Sequence, residues 1–257
     1  MNRERLWRYL DRKKASYRIN MKPVFMRAFD KQIRPLYDKI SQTGDIRDIV
    51  IPPLNNLAIE DAYLKLYMVT AVDFAKAKRS KWRKSFIKQD EDEIFEDLIM
   101  EKVRTYLRLH AGETVTAAGD TSIVLIQQLL KKLTPEILDQ GLGAGAAQTM
   151  LRDMIQSEWH QMKYFRTERI VRTEVNRASN FGSLEGTKSL GVEMNKVWIS
   201  AFAPNSRQEH MDADGQAVGL EEAFTVWGES LQYPGDPAGS AGNTINCFCG
   251  LYEELKE

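Results

Sequence analysis

Cys247 and Cys249 are the two cysteines of the chain, one residue apart near its C-terminal end. Of three histidines, His210 lies upstream of them in a loop-rich stretch with Asp212 and Asp214. Thiolates and imidazole are donors that tetrahedral Zn²⁺ takes, so His210, Cys247 and Cys249 form a candidate structural metal site, with a carboxylate such as Asp214 as fourth ligand. The alternative is two buried thiols packed as small hydrophobes against Trp198 or Tyr233, with His210 hydrogen-bonded to loop backbone. A redox pair is a third use of the same groups. A disulfide within Cys-x-Cys would close a strained ring. A cysteine hydrolase would need a nucleophile motif and a helix N-terminus to lower the thiol pKa, and neither surrounds these residues.

Other polar residues could brace loops. Glu174 and Arg177 are three apart, neighbours on a helix that can pair. With Arg172 they make either an ordinary surface ion pair or a set that fastens a C-terminal region to the helix. Tyr233-Pro234-Gly235-Asp236-Pro237 is a rigid reversal, two prolines fixing φ around a permissive glycine. Asn246 could hold that turn through its amide. No Walker-type phosphate loop occurs, and Gly141-Leu142-Gly143-Ala144-Gly145 follows a helical pattern where a dinucleotide fingerprint would need a strand.

The formal net charge is 0, with 36 basic and 36 acidic residues, which argues against bulk attraction to nucleic acid. The charge is segregated, however. Residues 1–40 hold twelve Lys or Arg against four Asp or Glu. Residues 76–88 are basic without an acid, and Asp90-Glu91-Asp92-Glu93 follows at once. Such a block is a solvated helix face or a local contact for phosphates; in the second case Lys78, Arg79, Lys81, Arg83 and Lys84 would meet double-stranded DNA. No apolar run approaches the ~20 residues that cross a bilayer. The opening Asn2-Arg3-Glu4-Arg5 lacks the pattern of a secretory leader, so no membrane partner is expected and reduced, cytosolic thiols are.

Elements must position these residues. Apolar recurrence at three, four and seven predicts helices over 1–40, from Ala58 through the basic block, over 91–110, near Ser122–Lys132, and from Ala147 to about Leu190. Pro23 and Pro35 are expected to kink or break the first. Ala111-Gly112 is expected to end the third, Thr134-Pro135-Glu136 to start another, and Gly141, Gly143 and Gly145 to form a hinge. Gly191 reads as a C-cap. Beyond it come short strands at 196–200, 216–218 and 224–227, a turn at Asp214-Gly215, a loop over 234–243 and an extended close from Thr244 to Leu251. The predicted class is α+β: a long, mostly helical N-terminal part with a small C-terminal α+β cap of short strands and loops. The expected division is a partner-binding helical arm over 1–145 and a second domain over 146–257.

The order of motifs resembles the phage head morphogenesis proteins, the Mu F-like minor head proteins, over roughly residues 150–252. The resemblance rests on Arg172-Thr173-Glu174 with Asn176 and Asn180-x-Gly182 on a helix, Trp198 on a strand, Arg207 with His210, Asp214-Gly215, Pro234 to Pro237 with Asp236, and Asn246-Cys247-Phe248-Cys249. Ala203 to Ser206 and Phe248 depart from the family pattern, which has charged residues there. The resemblance implies a minor structural protein of a tailed-phage head, with the portal protein and other head proteins as partners and double-stranded DNA close by. Its place would be the virion and, during assembly, the host cytoplasm. It implies a non-enzymatic role, and the residues themselves offer no cofactor beyond the structural zinc weighed above. The rivals are a toxin-like or nucleic-acid-processing enzyme built on the same domain, and a zinc-stapled binding module. The residues show no arginine, serine-threonine-serine and glutamate series for ADP-ribosyl transfer.

Overall fold

The computed structural model describes residues 2–86 and 92–256, with backbone alone over 83–86 and 92–93. Four long helices come first: α1 (Arg3–Gln42), α2 (Leu57–Phe86), α3 (Asp92–Leu138) and α4 (Ala144–Lys188). After them come β1 (Met194–Ile199), α5 (Gln208–Asp212), β2 (Ala217–Gly219), β3 (Phe224–Val226), β4 (Glu229–Leu231), α6 (Ala241–Thr244) and β5 (Gly250–Leu255). The class is α+β, as the change of texture after Gly191 predicts.

Two compact units form, each gathered from separate stretches. One holds Met1–Met21, Leu64–Leu109 and Arg169–Glu257, and the other holds Lys22–Tyr63 and His110–Glu168. The second is built almost wholly of helix. On α1 it buries Phe25, Phe29, Ile33, Leu36 and Ile40, at steps of three and four. Phe25 meets Tyr63 edge-on at 5.2 Å, and Phe29 meets Trp159 at 6.4 Å. This burial explains why α1 continues through Pro23 and Pro35 instead of breaking. A proline inside a helix costs about 3 kcal/mol, less than the flanking buried side chains contribute together at ~1.5–3 kcal/mol each.

The same argument corrects the expected breaks in α3, which runs unbroken from Asp92 to Leu138. Gly112 has open space where a Cβ would stand, so it weakens the helix by only ~1 kcal/mol and does not end it. Pro135 opens no new helix. It falls in the last turn, where its missing N–H costs the Lys131 carbonyl its donor, and the buried Leu133 and Ile137 beside it offset that loss. The break at Gly141–Gly143 is present.

The first unit carries the strands. Its aromatic run links helices to loops: Tyr67 stacks on Tyr106 at 5.2 Å, Tyr106 lies 4.5 Å from Phe181, and Phe181 meets Tyr233 edge-on at 6.1 Å. Helices α2 and α4 touch backbone to backbone, because Gly182 and Gly186 face Ala71 and Ala75 with no room for a Cβ. Strand β1 is central in the antiparallel order β2-β1-β5, with Trp198 opposite Leu251 and Val197 opposite both Tyr252 and Ala217. β3 and β4 form a separate hairpin. Its turn, Trp227-Gly228, has φ of 52° and 73°, the two positive values that a two-residue hairpin turn requires. The extended close expected from Thr244 is replaced by α6, a turn at Ile245–Asn246 and irregular chain to Cys249. Asn246 takes φ 55°, a left-handed conformation that asparagine tolerates, and redirects the chain.

Candidate functional site

All the site residues lie in the first unit. The stretch of α4 from Thr173 to Asn180 is buried, and its polar atoms hold the C-terminal loops by their backbone. Arg177 Nε donates to Gly235 O at 2.7 Å and Asn180 Nδ2 to Pro234 O at 2.8 Å, so the Pro-Gly reversal is held at two adjacent carbonyls. Asn180 also reaches Cys249 O at 3.1 Å, and Thr173 Oγ1 accepts the Asn246 N–H at 3.0 Å. Glu174 accepts from Arg177 at 2.9 Å and from the Tyr67 hydroxyl at 2.7 Å. The carboxylate therefore neutralises a buried guanidinium while tying α4 to α2. Asn176 Oδ1 accepts from the buried Lys14 ammonium at 2.7 Å, and Lys14 also donates to Cys249 O at 3.3 Å.

Below this bracket sit His210, Cys247 and Cys249. His210 Nδ1 is 3.7 Å from Cys247 Sγ and 3.4 Å from Cys249 Sγ. All three residues are at most 2% exposed, and their ligand atoms lie within 4.8 Å of one another. Trp198 meets the imidazole edge-on at 5.6 Å, and Phe224 meets Trp198 likewise at 5.4 Å. His210 Nε2 faces Asn243 Oδ1 at 3.1 Å, and Asn243 is itself oriented by Nδ2 donating to Val226 O at 3.3 Å. An amide oxygen only accepts, so Nε2 carries its proton and Nδ1 is the atom presented to the sulfurs. Among the described residues, these three form the cluster that could hold a metal ion.

The two thiols titrate in opposite directions. Cys247, hydrogen-bonded by the Cys249 thiol and by His210, is held well below the ordinary thiol range, while burial pushes Cys249 well above it. Burial alone would lower His210; hydrogen bonding to Cys247 and its charge outweigh that and raise it. Burial lowers Lys14 to about 8, against the attraction of Cys247 and Asp11. Beside the cluster is a cavity of about 160 Å³, lined by the three residues together with Asn205, Arg207 and Asn246.

Asp214 is not the fourth member of the set. Its Oδ2 accepts from Arg3 Nε at 2.8 Å and its Oδ1 from the Ser200 N–H at 2.9 Å, so it closes the reversal after β1. Gly215, at φ 84°, completes that reversal and donates to Trp198 O. Asp212 accepts from Gln208 on the exposed side of α5. Tyr233 joins Tyr106 and Phe181, so of the two aromatics expected beside the cysteines Trp198 is the one in their cluster. His210 bonds a side-chain amide, not loop backbone. Asp236 braces its own turn through the Gln232 and Ala238 N–H groups. Asn246 does not hold the Pro234 turn; Asn180 does. Asn246 Oδ1 is buried with no hydrogen-bond partner. Arg207 donates to Ile245 O at 2.5 Å. Arg172 lies over the Phe248 ring at 5.6 Å, and Arg18 lies 5.4 Å from the same ring. Phe248 thus gives two cations a π surface.

The expected phosphate contacts fare differently. Lys78 is buried and donates to the fully buried Glu253 carboxylate at 2.7 Å, so its charge is not offered to a partner. Arg79 is also buried, its guanidinium 4.6 Å over Phe95. Lys81 is exposed, with its ammonium 4.6 Å over Trp82. The side chains of Arg83 and Lys84 lie outside the described residues. The face of α2 that carries Lys78 and Arg79 packs inward, which a run of basic residues does not reveal. Sequence reasoning also missed Asn243 and Lys14. Asn243, on the short helix α6, falls in a glycine-rich stretch whose sequence shows no periodicity, and Lys14 was one basic residue among twelve.

No protein-family profile matches the chain, and no solved structure does. It is 30% identical over 129 residues to the NAD(+)–arginine ADP-ribosyltransferase EFV of Enterococcus faecalis, covering 49% of this chain and 26% of that protein. It is 27% identical over 128 residues to the uncharacterized protein YqbB of Bacillus subtilis, covering 48% of this chain and 40% of YqbB. With the minor head protein GP7 of Bacillus phage SPP1 it is 22% identical over 281 aligned positions, covering 97% of this chain and 86% of GP7. The chain therefore spans well under half of the first two relatives and most of the third. Among the described residues, no helix is long and apolar enough to cross a membrane.

Proposed function

We propose that the chain is a minor structural protein of a tailed-phage head, of the Mu F-like kind, acting in head assembly at the portal. The observation that carries this reading is the similarity to a minor head protein along nearly the whole of both chains. The site supports it through the use made of its polar groups. Arg177, Asn180, Thr173 and Asp214 hold loop backbone, and Glu174 holds a buried cation. Among the described residues no carboxylate lines the cavity beside His210 to serve as an acid or base. In this reading residues 1–145 bind the portal or other head proteins, residues 146–257 form the head-morphogenesis domain, and the protein resides in the virion after assembly in the host cytoplasm. Contact with packaged DNA would be local, through exposed residues such as Lys81.

The test is co-expression of the tagged full chain with the portal and major head proteins of a tailed phage, followed by sedimentation. The chain is expected to travel with portal oligomers or head particles. A chain that stays at the top of the gradient while portal and heads form normally refutes the reading. Binding to double-stranded DNA should be weak and fall steeply with salt.

The identity with an ADP-ribosyltransferase over half of this chain supports a second reading, an enzyme or enzyme-linked module. Incubation with labelled NAD and arginine separates the two. Transfer of label above a heat-killed control supports the enzyme, and its absence in a folded protein removes it.

A further inference from the structure

We propose that His210 Nδ1, Cys247 Sγ and Cys249 Sγ bind one Zn²⁺ ion per chain, with Asn246 Oδ1 at the fourth position directly or through one water. The inference stands apart from the head-protein reading.

The two nitrogen–sulfur distances fit a tetrahedral site. Bonds of about 2.3 Å to sulfur and about 2.0 Å to nitrogen, at the tetrahedral angle, set nitrogen and sulfur about 3.5 Å apart. The two distances observed, 3.7 and 3.4 Å, bracket that value. One lone pair on Nδ1 can accept one S–H at a time, so a hydrogen bond does not call for two sulfurs at near-equal range, whereas a shared cation does. The ring is set for ligation as well. Asn243 fixes the tautomer that leaves Nδ1 bare, the outer-shell device usual for metal-bound histidine. Two thiolates and an imidazole select zinc over magnesium or calcium.

The fourth position has its own evidence. Asn246 lines the same cavity as the three ligands, and its Oδ1 is buried without a partner, a costly state for an amide oxygen. A hard oxygen donor facing a cation would relieve it. Asp214, bonded elsewhere, does not compete. The ion would join α5 to the chain after α6, in a region whose β2, β3 and β4 are three residues each and whose buried apolar cluster is small.

The experiment uses the full chain, purified without added metal, stripped with chelator and titrated with Co²⁺ and then Zn²⁺. One Co²⁺ per chain is expected, with intense visible bands of tetrahedral geometry and sulfur-to-metal charge transfer in the ultraviolet, displaced by one Zn²⁺. Cys249→Ser, which leaves one thiolate of two, should lose about half of the charge-transfer intensity or more. Asn243→Ala should keep it and bind roughly 10–100-fold more weakly. Asn246→Ala should keep the band and bind at least about tenfold more weakly, as loss of a direct or water-bridged donor requires. Less than a tenth of a metal per chain in the folded wild type, or the same spectrum in Cys249→Ser, overturns the site. Should Cys249→Ser fail to fold, the wild-type titration decides alone. Unchanged affinity in Asn246→Ala overturns the fourth donor.

Discussion

Gly182→Ala should destabilise the protein sharply although it removes no contact and replaces a poor helix former by the best one. A Cβ at residue 182 would stand 2.1 Å from Ala71 O and 2.6 Å from Ala71 Cα, where ordinary contact begins at 3.4 Å. These are backbone atoms in the middle of α2, so no side chain can swing aside. The helices must part by about 1 Å, and a gap of that size forfeits a quarter to a half of each dispersion contact across it. Overpacking of this kind costs ~1–3 kcal/mol. The Tyr67–Glu174 hydrogen bond spans the same two helices, and stretching a bond to a buried carboxylate adds about 1.5–3 kcal/mol. The helix-propensity gain returns only about 1 kcal/mol. A net loss of about 3 kcal/mol lowers the melting temperature by roughly 6–12 °C for a chain of this size. Thermal unfolding followed by far-ultraviolet circular dichroism measures it. The control is Gly112→Ala, where a Cβ meets nothing and stability should rise by about 0.5–1 kcal/mol. If Gly182→Ala melts within about 2 °C of the wild type while Gly112→Ala is stabilised as stated, the close approach of α2 and α4 is wrong.

Three further outcomes follow from the same geometry. Asn180→Ala leaves the Pro234 carbonyl without its donor and weakens the hold on Cys249 O, so urea unfolding should show a loss of about 1–3 kcal/mol; no change means the amide bonds water instead. Lys78→Met strands the Glu253 carboxylate, at 0% side-chain exposure, and should cost about 3–5 kcal/mol, whereas adding Glu253→Leu should restore much of it; additive losses in this double-mutant cycle count against the pair. Burial lowers Lys196, whose ammonium donates to the Gln232 carbonyl and amide oxygen and lies 5.3 Å over the Phe224 ring, to about 8 from 10.5. The unfolded chain then binds more protons between those values, so this group makes stability rise as pH climbs from about 8 to about 10.5. Lys196→Met should flatten that rise in melting temperature, and an unaltered profile assigns it to other groups. Above pH 10 the buried Tyr67 and Tyr233, both raised by burial, oppose the trend.

Much of the site was legible as residue types and little of it as geometry. His210, Cys247 and Cys249 stood out because thiols and imidazole are rare in this chain, and the structure gathers them. Their supports did not stand out. Asn243 and Asn246 look like ordinary loop polar residues until one is found holding an imidazole and the other lining the cavity and carrying a buried oxygen that no described residue bonds. The β3–β4 hairpin was half seen, because Trp227-Gly228 lacks the Asn-Gly signature of a tight turn.

Local chemistry written in the sequence alone determined the helices, the change to short strands after Gly191, and the separation of basic from acidic blocks. Apolar spacing and turn residues act over a few positions, and those positions are adjacent in the chain. Tertiary structure decided what happened at Pro23, Pro35, Gly112 and Pro135, because the cost of each is set against burial by distant partners. It also decided which charges are surface. Lys78 and Lys81 are the same residue type three apart, yet one is bonded to Glu253, 175 residues away, and the other meets solvent. A charge is placed by what packs over it, and that depends on contacts no local window contains.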